Sequence, residues 1–324
     1  MNADTLKAKL DESQYIYDDA LITTLLVALK LGRPLLIEGA AGVGKTEIAK
    51  VMASALDREL VRLQCYEGLD ESKALYEWNY QKQLLSIQVK MNHQSDEELT
   101  ASLFSDSYLL ERPLLRSIRS EEPVVLLIDE IDKADEEFEA FLLELLAEQQ
   151  VTIPEIGSIR AKTTPFVVLT SNRTRPLSEA LRRRCAYLYI QYPDLQKEVA
   201  IIRAKRPNVN EHLAVQVAQA IHGLRENDAI LKKPSIAETL DWVAALEALG
   251  ISDLTPTAMD ATKGFVLKNN EDFALLGQMN GHSCTHHHGH HCGTHEHGCT
   301  CHHDEPDEAD KILHAQNLSE ASKK

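Results

Sequence analysis

The run Gly39-Ala40-Ala41-Gly42-Val43-Gly44-Lys45-Thr46 holds the residue types that chemistry on a phosphate chain requires. Its glycines let successive backbone N–H groups converge on phosphate oxygens, and a helix starting there presents the positive end of its dipole to them. Lys45 is expected to reach the β and γ phosphates, and Thr46 to offer its hydroxyl to magnesium. Farther along, the apolar run Val124-Val125-Leu126-Leu127-Ile128 delivers Asp129-Glu130 at its end. Two adjacent carboxylates at the C-terminal end of a buried strand suit a magnesium partner and a base that polarises water. A later apolar run, from Phe166, ends in Thr170-Ser171-Asn172. Asn172 fits a holder of the attacking water or an ordinary turn former. Leu181-Arg182-Arg183-Arg184 then offers either a solvated charged turn or an arginine for a neighbouring subunit's phosphate site.

These groups need a scaffold. Five short apolar runs read as strands, at 35–38, 60–65, 124–128, 166–171 and 186–190. The third is apolar throughout, as in a strand buried on both faces of a parallel sheet. A helix is expected over 47–56, and another over 136–148 with Phe138, Phe141, Leu142, Leu145 and Leu146 on one stripe. Alternation of this kind predicts an α/β, doubly wound domain over residues 1–193. From 194 to 279 the spacing is helical, with helices expected over 195–204, 211–225, 235–249 and 257–267, punctuated by Pro207, Pro234 and Pro256. That segment reads as a small all-helical domain.

Composition narrows the function classes. The 324 residues are 44% hydrophobic, enough for sizeable cores, and carry a net charge of −16. With no compensating basic stripe, that charge repels phosphate backbones and disfavours a nucleic acid partner. The apolar stretch 20–29 is about half the length a bilayer demands, and residues 1–9 lead into no signal core, so no membrane span is expected and the location reads as cytoplasmic. Cys65 and Cys185 lie in or beside strand runs and read as buried thiols.

The ordered P-loop, Asp-Glu strand, Asn strand, arginine turn and helical segment resemble AAA+ ATPases, and more narrowly the MoxR family, over residues 15–279. Leu75-Tyr76-Glu77-Trp78-Asn79-Tyr80-Gln81, and the run from Leu181 to Tyr189, are similar to the CoxD-like maturation subgroup. The resemblance implies a P-loop AAA+ parallel-sheet core with a helical lid, and a ring, usually a hexamer, that binds ATP and Mg2+ between subunits. It makes Glu130 the catalytic base, Asp129 the magnesium partner, Asn172 the first sensor, and Arg184, with Arg183 second, the arginine finger. It turns residues 68–81, with Trp78 and Tyr80, and the hairpin 151–161 toward the pore or substrate. It further implies a chaperone that matures a client metalloenzyme beside a von Willebrand factor A domain partner. CoxD-like members are associated with assembling the metal centre of a molybdenum- and copper-containing carbon monoxide dehydrogenase. One departure stands out: Pro234 is followed by Ser235, Ile236 and Ala237 where relatives carry a second sensor arginine, leaving Lys232 or Lys233 as substitutes.

Residues 280–304 hold ten of the 14 histidines and four of the six cysteines. Cys284, His286, His287, His288, His290, His291, Cys292, His295, His297, Cys299, Cys301, His302 and His303 form a ligand set suited to zinc, nickel or copper. Glycine and threonine spacers, with no apolar residue but cysteine, predict a disordered His/Cys-rich tail with several exchanging metal sites. The interleaved cysteines distinguish it from a cloning tag. A charged segment, 305–324, follows. A nucleotide-gated metal store is therefore an alternative to a chaperone.

Overall fold

The computed structural model of the chain describes residues 1–90, 103–154 and 156–273. They form two compact units that divide between Tyr192 and Pro193.

The first unit is built on five parallel strands: β1 (Leu35–Gly39), β2 (Leu60–Gln64), β5 (Val125–Asp129), β8 (Phe166–Ser171) and β9 (Ala186–Ile190), in the order β2-β5-β8-β1-β9. Every residue of β1, β5 and β8 is buried, as expected of strands covered on both faces. The period of two splits their side chains between two cores. Leu35, Ile37, Val125, Leu127, Phe166 and Val168 pack with helices α1 (Ala3–Glu12), α2 (Asp19–Leu31) and α3 (Lys45–Leu56). Leu36, Leu126, Ile128, Val167 and Leu169 face the other way, toward α4 (Glu71–Leu75), α6 (Pro113–Arg119) and α7 (Glu136–Glu148).

Local chemistry sets the helix ends. Asp18 caps α2 by accepting from the Leu21 N–H at 2.8 Å, and Gly32 closes it at φ 60°. Residues 20–29, too short to span a bilayer, thus lie inside an ordinary amphipathic helix that buries Leu21, Ile22, Leu25 and Leu26. Asp135 caps α7 through the Phe138 N–H, and the stripe splits: Phe138, Leu142 and Leu145 are buried, Phe141 and Leu146 half-buried.

Several boundaries differ from the pattern. α3 begins at Lys45, two residues early, because the αL conformation of Gly44 starts the helix inside the glycine loop. β5 includes Asp129, which keeps the carboxylate residue within the sheet ladder. The segment 68–81 also departs from expectation. β3 (Tyr76–Trp78) pairs antiparallel with β4 (Leu109–Glu111), and α5 (Tyr80–Lys90) follows. Trp78 does not face outward: it is buried, meeting Tyr76 edge-on at 5.9 Å and Phe104 at 5.3 Å. Strand pairing turns alternate residues inward, and a tryptophan there removes more apolar area from water than a surface position allows. Tyr80, past the strand, is exposed. The hairpin of 151–161 consists of β6 (Gln150–Ile153) and β7 (Gly157–Arg160), with Val151 and Ile153 buried. Helix α8 (Glu179–Arg184) carries the three arginines.

The second unit contains α9 (Leu195–Lys205), α10 (Glu211–Glu226), α11 (Ile236–Ala248) and α12 (Pro256–Val266) around Val199, Ile202, Val217, Ile221, Trp242, Val243 and Leu246. Ser235 lies outside α11 as its cap, in a reciprocal capping box with Glu238. A fully buried Glu198 carboxylate is held bidentately by Arg225 and by the Thr239 hydroxyl at 2.9 Å. Arg225 also donates to the Pro234 carbonyl at 2.8 Å, so α9, α10 and α11 share one polar clasp.

Arg225→Met leaves the Glu198 charge buried without its partner and is expected to cost about 3–5 kcal/mol. Urea unfolding followed by Trp242 fluorescence reads the loss, and pairing the change with Glu198→Leu regains part of it.

Candidate nucleotide site

A parallel sheet sends the C-terminal ends of all its strands to one edge, where ligands collect. Here strand order decides which loops meet. Glu38 of β1 lies opposite Ser171 of β8, Ile128 of β5 opposite Leu169 of β8, and Gln64 of β2 opposite Asp129 of β5. The glycine loop, the Asn172 turn, the Asp-Glu pair and the end of β2 therefore stand side by side.

The loop conformation depends on glycine at two kinds of position. Gly42 and Gly44 adopt φ of 72° and 91°, open to glycine and disfavoured for other residues. Gly39 is needed for space: a Cβ there would stand 2.3 Å from the Ile190 carbonyl oxygen of β9. Lys45 folds back over the loop. Its Nζ donates to the carbonyls of Gly39 at 2.9 Å and Ala40 at 2.6 Å, and to Asn172 Oδ1 at 2.7 Å. Burial lowers the pKa of this ammonium, against the opposing pull of Asp132, Asp129 and Glu130.

Asp129 is almost wholly buried. Its Oδ1 accepts from the hydroxyls of Thr46 at 3.0 Å and Thr170 at 2.5 Å, and its Oδ2 from Arg62 Nη2 at 2.5 Å. Glu130 has φ 57°, a left-handed backbone that costs about 1–2 kcal/mol for a residue with a side chain. Its N–H is held by the Thr170 hydroxyl at 2.9 Å. The Glu130 carboxylate accepts from Gln64 at 2.8 Å and Asn172 Nδ2 at 3.3 Å, and pairs with Lys133 at 2.6 Å. Asp132 ties the turns together, accepting from the N–H groups of Asn172 at 3.2 Å and Thr174 at 2.9 Å and from the Thr174 hydroxyl at 2.7 Å. Burial works against its ionised form, yet the Thr174 hydroxyl and those amides hold its carboxyl below the usual range.

Lys45, Thr46, Asp129, Glu130 and Asn172 thus form one hydrogen-bonded cluster. Gly39 to Gly44, with Ala40, Ala41 and Val43, form the loop beside it. Thr46 and Asp129, with oxygen donors in contact, fit a hard divalent cation such as magnesium. Arg183 and Arg184 are exposed on α8 and bond within it, to Glu179 and to the Ala180 carbonyl. Lys233 is engaged by the Arg225 and Asn227 carbonyls, and Lys232 lies 3.5 Å from Glu238, all in the helical unit. Cys284 to His303 lie outside the described residues. Among the described residues no group of three or more His, Cys, Asp or Glu is placed to hold a metal ion, and no helix is long and apolar enough to cross a membrane.

Five participants escaped the sequence reading. Arg62, Gln64, Thr170, Asp132 and Lys133 reach the cluster through strand order or a one-turn offset. Only Asp132 and Lys133, three residues after Asp129 and Glu130, carry a local signal.

A parallel five-stranded α/β sheet with a lysine-bearing glycine loop before a helix defines a P-loop nucleoside-triphosphatase fold. Within that class, residues 34–185 match the family model of the AAA domain, dynein-related subfamily. An uncharacterised protein of Staphylococcus haemolyticus is 25% identical over 251 residues, spanning 75% of this chain and 86% of that relative. A RuvB variant of Thermotoga maritima is 17% identical with a TM-score of 0.45, covering 84% of this chain and 73% of that one. A candidate ATPase of Cytophaga hutchinsonii is 17% identical with a TM-score of 0.44, covering 84% and 90%.

Gly39→Ala drives a methyl group into the β9 backbone and is expected to cost about 1–3 kcal/mol, seen as a lower urea midpoint. Burial pushes both the Cys65 and Cys185 thiols up to about 12. At pH 8 about one in ten thousand of each is thiolate. With Cys284, Cys292, Cys299 and Cys301 replaced by serine, the folded chain is expected to leave a disulfide reagent unreacted until denaturant is added.

Proposed function

We propose that this chain is a Mg2+-dependent ATP hydrolase of the MoxR type that assembles as a hexameric ring and uses turnover to remodel a client protein. The observation that carries the reading is the junction of Lys45 with Asn172 and of Thr46 with Asp129, which joins the phosphate loop to the residues on the next strands. In this reading the loop amides and Lys45 take the phosphates, leaving behind the carbonyls that Lys45 now contacts. Magnesium, when bound, neutralises charge on the phosphate oxygens, and Thr46 and Asp129 hold it. Glu130 takes the proton of an attacking water, and Asn172, already bonded to both Lys45 and Glu130, positions that water near the terminal phosphate.

Arg184, with Arg183 second, serves a neighbouring subunit's phosphates. Their exposure on α8 and their lack of a buried role leave them available for it. The chaperone task, the client metalloenzyme and the von Willebrand factor A domain partner rest on the family resemblance, the cytoplasmic location on the short apolar stretch 20–29 and the residues that follow 1–9, and metal delivery by the tail on its ligand composition. Lid sensing through residues after Pro234 forms no part of the reading, since Ser235 there is a helix cap and Lys233 is bound to local carbonyls.

Phosphate release and fluorescent-nucleotide binding test the assignment together. Lys45→Ala is expected to lose nucleotide binding. Glu130→Gln is expected to keep binding while turnover falls by about a hundredfold or more. Undiminished hydrolysis by Glu130→Gln would remove that residue from its role.

A further inference from the structure

The two oxygens of Asp129 are not equivalent. Oδ1 is filled by two hydroxyl donors, Thr46 and Thr170. Oδ2 accepts from a single cationic donor, Arg62 Nη2 at 2.5 Å. A carboxylate oxygen has room for about two partners. A cation or cation-bound water that approaches Asp129 therefore finds its open position on Oδ2, beside the like charge of Arg62, which disfavours both being there together.

Arg62 suits an exchangeable role. It stands on β2, one strand away, on the same strand face as Gln64, and its side chain is 50% exposed against 4% for Asp129. A nearly buried carboxylate needs a neighbouring positive charge. A guanidinium supplies that charge on a side chain long enough to swing into water. The same Nη2 donates to Gln64 Oε1 at 2.6 Å, and Gln64 in turn donates to Glu130. Displacement at Asp129 thereby also releases Gln64 beside the second carboxylate.

We propose that Arg62 is a resident counter-cation for Asp129 that competes with the divalent ion, so metal entry is an exchange of one cation for another. Arg62 is a positioning residue. It keeps the metal-free site charge-balanced and sets the magnesium concentration at which the site fills. The inference rests on the nucleotide-site reading above.

The test titrates Mg2+ against binding of a fluorescent ATP analogue by the full-length chain, by Arg62→Gln and by Arg62→Lys. Removing the competitor is expected to lower the half-saturating Mg2+ about three- to tenfold in Arg62→Gln, with Arg62→Lys between it and the parent. Without metal, the thermal midpoint of Arg62→Gln is expected to fall, and with Mg2+ and nucleotide to approach that of the parent. A half-saturating Mg2+ unchanged in both variants, with nucleotide binding intact, overturns the proposal and leaves Arg62 a structural ion pair. Failure of the parent chain to bind the analogue overturns the nucleotide-site reading itself, before any variant is compared. If Arg62→Gln does not fold, the shift in Arg62→Lys decides.

Discussion

A carboxylate left almost without solvent has to be surrounded by donors and positive charge, and Asp129 is that group in this protein. Its three partners come from three different elements: Thr46 on the helix after the glycine loop, Thr170 on β8 and Arg62 on β2. Charge balance at one side chain therefore holds together the edge of the sheet where the loops converge. The neighbouring residues inherit their positions from it. Thr170 uses its single hydroxyl twice, donating to Asp129 and accepting from the Glu130 N–H, which braces a left-handed backbone that would otherwise relax.

Around that hub the cluster is poised rather than slack. Lys45 is solvated by loop carbonyls and Asn172, Glu130 is held by Gln64 and the charge of Lys133, and Asp132 is solvated by backbone amides. Each contact uses a group that a phosphate chain, a cation or a water would also use. Binding at such a site exchanges internal partners for external ones, so the net gain is smaller than a count of new contacts suggests. It also makes the state of one strand end felt at the next, through side chains that already touch.

The helical unit solves a separate problem with similar means. Its Glu198 is fully buried, and Arg225 and Thr239 satisfy it completely across three helices. Breaking such a pair is costly, while its net contribution over a well-packed apolar cluster is small. The pair is better understood as fixing how α9, α10 and α11 meet than as the source of the unit's stability, which lies in the apolar set around Trp242.

Much of this was legible without coordinates, because the chemistry is local. The glycine loop is one contiguous stretch. The apolar runs ending in Asp129 and Ser171 are continuous because both faces of those strands are buried, and the stripe of α7 follows the 3.6 period that burial of one face imposes. What tertiary structure alone decided is adjacency. Nothing local says that β5 lies between β2 and β8, and so nothing local brings Arg62 and Gln64 to the Asp-Glu pair or Thr170 beneath it. Parallel strands are joined by long crossovers, and the residues that become neighbours through them are far apart in the chain. Trp78 shows the same limit: its type suited a surface anchor as well as a core residue, and only the pairing of β3 with β4 turned it inward.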